Sequence, residues 1–131
     1  QGVADGTILA AAGMKRLGIT GWPGVEMRPL GFDQMVPAVG QGAIAIQCRA
    51  ADAEKFAAVF DAATARAVAV ERAFQTALGG GCHTAFAAHV EGSVLHLFHE
   101  QTGLRSVGLT EADFAQPAAT AARVLKEVGL L

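Results

Sequence analysis

Cys82 is the residue with the clearest chemical potential, a lone thiol set directly after Gly79-Gly80-Gly81. Glycines at that point remove Cβ crowding, so a bulky group can reach the sulfur. An equally simple reading is a buried structural thiol behind an ordinary helix cap. The C-terminal end of a helix disfavours a thiolate, so nothing local activates the sulfur as an anion. No second cysteine lies two or three residues away, which removes a dithiol redox motif. Lys15 and Arg16 form the second candidate group, adjacent cations suited to carboxylates or equally to a solvated turn.

Gly40-Gln41-Gly42 is the third candidate. A dinucleotide loop would need another glycine and an acidic residue some 20 positions further on, and neither is placed convincingly. By its residues the segment reads as a tight turn before a strand. His89, His96 and His99 tempt a metal assignment. On a strand, however, His96 and His99 point to opposite faces, and no pair-of-pairs spacing for structural zinc is present. No metal is expected.

Positioning these residues requires a core, and a 52% hydrophobic content over 131 residues supplies one, which excludes a disordered chain. With a net charge of -2 and interspersed signs there is no basic stripe for nucleic acid. The apolar runs fall far short of the roughly 20 residues that span a bilayer, so no membrane segment is expected. Two cysteines are too few for a disulfide scaffold, which favours a reducing cytoplasm. The N-terminus has neither a starting Met nor a signal-peptide pattern and reads as a chain entered midway.

Along the chain, Thr7 to Ala12 reads as a buried strand, followed by a short helix or turn from Met14 to Leu17 that stops at Gly18. Turn residues dominate Thr20 to Gln34, and Ala43 to Cys48 is a second strand candidate. A helix is expected from Asp52, as its cap, to Phe60. A second is expected from about Ala65 to Leu78, ended by the glycines. Three strands, Phe86 to Val90, Val94 to Phe98 and Arg105 to Leu109, are separated by hairpin turns, and a closing helix starts at Pro117. The expected class is α/β followed by α+β.

Three blocks in order resemble the hydroxymethylbilane synthase (porphobilinogen deaminase) family. They are Ile8 to Gly18, Pro37-Ala38-Val39-Gly40-Gln41-Gly42-Ala43 continuing to Cys48-Arg49, and Val70-Glu71-Arg72-Ala73-Phe74 with Gly80-Gly81-Cys82. The resemblance implies that Cys82, reached past Gly81, carries a dipyrromethane cofactor as a thioether. The family expels ammonia from porphobilinogen to give an electrophile that a soft sulfur captures, then extends the primer by four pyrroles to linear hydroxymethylbilane. Each pyrrole bears an acetate and a propionate, so Arg16, Lys15 and Gln41 become substrate-binding candidates.

By the same resemblance Arg72 orients a cofactor carboxylate or pairs with Glu71 or another helix acid, and Arg49 and Glu71 are scaffold. Residues 1 to 37 would be the C-terminal piece of domain 2 of a periplasmic-binding-protein-like pair. Residues 38 to 62 would give a strand and helix to domain 1, and 63 to 131 would form domain 3 with a three-stranded antiparallel sheet. The catalytic acid belongs to an N-terminal part of the same protein that is expected as a partner, so no catalytic residue is assigned here and the fragment alone is expected to be inactive. The intact protein is expected to be a monomer. After Cys82 the family's proline-containing stretch is replaced by His83-Thr84-Ala85-Phe86. The competing class is a non-enzymatic binding domain with Cys82 a structural thiol.

Overall fold

The computed structural model describes residues 4–79 and 84–131, which fall into two compact units, Gln1–Gly31 and Phe32–Leu131. In the first unit, helix α1 spans Ala11–Arg16. Its exit is set by Gly18 at φ 66°, with Ile19 N–H donating to Met14 O and Gly18 N–H to Lys15 O, the paired bonds of a Schellman cap. Only glycine adopts that backbone angle without strain. Further on, Pro23-Gly24 turns the chain between Trp22 and Val25, with Gly24 at φ 74° and Val25 N–H donating to Trp22 O.

The strand expected over Thr7 to Ala12 is not formed. Thr7 to Ala10 is irregular and the helix already begins at Ala11. A strand exists only against a hydrogen-bonding neighbour, and no described residue supplies one, leaving Ile8 66% and Leu9 62% exposed. Ala43 to Cys48 likewise makes no ladder, and Ile44 stands 90% exposed. The strand expected within residues 38 to 62 is therefore absent among the described residues.

The helix expected from Asp52 is broken into a 3-10 turn at Ala50–Asp52, a short α2 at Ala53–Phe56 and a second 3-10 turn at Ala57–Val59. Asp52 caps nothing with its side chain. Arg49 and Lys55 claim its two oxygens at 2.9 and 2.7 Å, Lys55 first and Arg49 second holding the carboxyl below its ordinary range.

The rest of the second unit is a sheet with helices on one face. Helix α3, Ala62–Ala77, starts at Asp61, whose carboxylate accepts from Thr64 N–H at 2.6 Å. Strands β1 (Phe86–Glu91), β2 (Val94–His99) and β3 (Gly103–Gly108) form an antiparallel meander in that order. Gly92 at φ 58° opens the two-residue Gly92-Ser93 loop, as a type II′ hairpin requires. The second loop spans Glu100 to Thr102 and closes on Gly103 at φ 68°.

Period-two alternation sends Ala88, Val90, Leu95 and Leu97 to one face, where Val70 and Phe74 of α3 meet Val124 and Leu125 of α5 (Pro117–Glu127). The α+β expectation from residue 63 onward is met in this helix, sheet and helix order. Before α5 lies α4, Glu111–Ala115, which the sequence reading omitted. Thr110 and Asp113 form its capping box, and Arg123 reaches Asp113 at 2.6 Å.

Candidate functional site

Cys82 and Gly81 lie outside the described residues, so their site is defined by what flanks them. Upstream, α3 ends at Ala77 with Leu78 as its C-cap, and Gly79, φ 63°, follows with its N–H donating to Thr76 O. Downstream, Ala85 O accepts from Glu100 N–H at 3.1 Å just before β1 begins. In the sequence Cys82 thus falls between a helix and a strand that both contribute to the core.

One side chain braces this region. Glu71 sits in the apolar stripe of α3 with Ala67, Val70, Phe74 and Leu78 and is 2% exposed. Its Oε2 accepts from Gly40 N–H at 2.7 Å and its Oε1 from Val90 N–H at 2.9 Å. A buried carboxylate is tolerable only with such donors. Nδ1 of His89 lies 3.3 Å from Oε1 but makes no hydrogen bond among the described residues.

Gln41, beside Gly40, first serves its own turn. Its side-chain carbonyl accepts from Ala38 N–H at 3.1 Å, and its N–H donates to Ala38 O. Gly40 at φ 69° and Gly42 at φ 86° make this turn possible. Gln41, Thr64, Val68, Glu71, His89 and Val90 line a cleft of about 290 Å³. Phe32 stacks on His96 at 4.6 Å between ring centres and lies against His89 at 5.1 Å, on the sheet face opposite the core.

Lys15 and Arg16 stand side by side in the last turn of α1, exposed and without an ion pair among the described residues. Arg72 is also exposed and unpaired among them. The pairing with Glu71 that the sequence allowed does not occur, because that carboxylate turns inward to two backbone amides. The structure therefore joins Gln41 to Glu71 and His89 in one cleft and places Lys15 and Arg16 together in the other unit. Glu71 was read as scaffold, and its burial was signalled by a charged residue at the i+4 position of an apolar stripe. Among the described residues no three His, Cys, Asp or Glu side chains converge to hold a metal, and no helix is long and apolar enough to cross a membrane.

Known proteins share this sequence. Residues 1–57 match the family described as "Porphobilinogen deaminase, dipyromethane cofactor binding domain". A porphobilinogen deaminase of Nitrobacter hamburgensis is 40% identical over 96% of the chain and 43% of its own length. That of Sphingopyxis alaskensis is 47% identical over 69% of the chain and 28% of its own, and the chloroplastic one of Pisum sativum 44% over 68% and 24%. The chain thus spans about a quarter to two fifths of these curated relatives.

The matched segment places the chain among proteins built around a dipyrromethane cofactor. It belongs to the porphobilinogen deaminase family, the hydroxymethylbilane synthases. Each unit by itself carries exposed cations with no acidic partner among the described residues, Lys15 and Arg16 in one and Arg72 in the other, the kind of group that the carboxylates of such a cofactor require.

Proposed function

We propose that the chain is the C-terminal part of a hydroxymethylbilane synthase, which joins four porphobilinogen units with release of ammonia to give linear hydroxymethylbilane. The match to a curated porphobilinogen deaminase along nearly the whole chain carries this reading. Cys82, preceded by Gly81, holds the dipyrromethane as a thioether. Bound there, the cofactor would supply the free pyrrole position to which the first unit is joined, later units extending the chain from that one.

Arg16 and Lys15 bind the acetate and propionate groups of the pyrrole chain, with bidentate geometry available only to the guanidinium. The side-chain carbonyl of Gln41 is engaged within its own turn, so any substrate contact falls to its NH₂ group. Residues 1 to 37 complete domain 2, 38 to 62 belong to domain 1 and 63 to 131 form domain 3. The catalytic acid lies in the N-terminal part of the same protein, and the 131-residue chain alone is inactive. The intact enzyme works as a monomer in the cytoplasm, where Cys48 stays a free thiol.

Intact-mass measurement on the complete polypeptide tests the reading. The unaltered protein carries the added mass of two linked pyrroles, and Cys82→Ser carries none and makes no tetrapyrrole. An unmodified thiol in active protein, or full activity of Cys82→Ser, refutes the attachment. An unmodified and inactive complete protein points instead to a binding domain.

A further inference from the structure

Glu71 connects segments that its position in the sequence does not. Gly40 lies 31 residues before it and Val90 19 residues after it, yet one buried carboxylate accepts both backbone amides. Helix α3 carries the chain from Glu71 to Ala77, and β1 begins at Phe86. The carboxylate thus ties the Gly40-Gln41-Gly42 turn to both elements that flank Cys82. Within Ala38 to Gly42 the turn's own hydrogen bonds hold its shape and Val39 packs against the core, while the Gly40 bond adds a directional tie to α3.

We infer that Glu71 is a positioning residue, which sets the Gln41 turn relative to α3 and β1, the elements that precede and follow Cys82 in the sequence, without itself touching a pyrrole. This deepens the proposed function and rests on it. Replacing Glu71 with Gln keeps volume and one carbonyl oxygen but puts an NH₂ group against a backbone N–H. One of the two amides then loses its acceptor.

The test uses the complete polypeptide carrying Glu71→Gln. Exchange of the Gly40 or the Val90 amide with deuterium, whichever faces the new NH₂ group, should accelerate about tenfold or more, the opening expected when a buried amide is left unpaired. Cofactor content by intact mass should be unchanged. KM for porphobilinogen should rise about fivefold or more while kcat stays within about twofold, the split that marks lost binding geometry rather than lost chemistry. Unchanged exchange of both amides, or unchanged KM despite faster Gly40 exchange, overturns the inference.

Should Glu71→Gln fail to fold, Gly40→Ala makes the same test from the turn side. A Cβ there meets nothing within 4 Å, so the change acts only through the φ of 69°. A raised KM with retained cofactor supports the inference, and an unchanged KM overturns it. Unaltered protein without dipyrromethane refutes the function instead, and exchange of the two amides in Glu71→Gln then still decides whether the clamp exists.

Discussion

Asp113→Ala should destabilise the chain by about 1.5–2 kcal/mol, and most of that loss should vanish in acid. Asp113 Oδ2 accepts from Thr110 N–H at 2.8 Å and Thr110 Oγ–H at 2.7 Å, while Oδ1 accepts from Thr120 at 3.1 Å and Arg123 at 2.6 Å. Its side chain is 13% exposed and that of Arg123 45%. Loss of the cap interaction costs about 1 kcal/mol. The half-exposed ion pair adds only about 0.5–1 kcal/mol after solvent screening. Thr120 keeps a bond to the backbone oxygen of Asp113, so its loss adds little.

For a unit of this size the sum lowers Tm by roughly 10 °C. The Thr110 amide and hydroxyl, then the Arg123 guanidinium, hold the Asp113 carboxyl well below the usual carboxylate range. A depressed folded-state value means the stabilisation is complete above the unfolded value, near about 4, and fades as pH falls below it. Thermal unfolding of both proteins by circular dichroism at about pH 7, 5, 4 and 2.5 checks this, the difference between them isolating Asp113 from other acids. An equal gap in Tm at neutral and lowest pH, or no gap at neutral pH, would refute the reasoning.

Two further outcomes concern α3. Asp61→Ala removes its N-cap and should lower Tm by a few degrees at neutral pH, the gap narrowing in acid because Thr64 N–H depresses the Asp61 carboxyl. An unshifted Tm counts against the cap. Phe74→Ala empties the centre of the core, where Phe74 is fully buried, and should cost about 3–5 kcal/mol. Urea titration should show a lower midpoint at unchanged slope, and a loss under about 1 kcal/mol would mean the core is not packed as described.

The elements most legible in the sequence were those whose causes are local. Alternating Ala88, Val90, Leu95 and Leu97 with turn residues between them is enough to write the meander. Gly18, Gly79 and Gly129 each stop a helix where expected, at positive φ. Thr110-x-x-Asp113 was readable as a capping box but carries Asp where Glu or Gln is usual. Thr7 to Ala12 and Ala43 to Cys48 have strand-like composition, but a strand needs a partner edge and composition says nothing about its presence. Glu71 failed for a related reason. Its partners lie 31 and 19 residues away, so helix spacing could show a misplaced charge but not what satisfied it. For Cys82 the flanking glycines only permit a bulky adduct, and the role itself came from the resemblance.

The meander also bears on the order in which the second unit is built. Its ladders join Phe86 to His99 and Val94 to Gly108 at their widest, so every strand meets a neighbour close in the chain. Closing such short loops costs little entropy, and the sheet can assemble before either long helix docks. Helices α3 and α5 precede and follow it in the chain yet meet over one face of it. The contacts of longest sequence separation are then those between α3 and α5, which join across the whole meander.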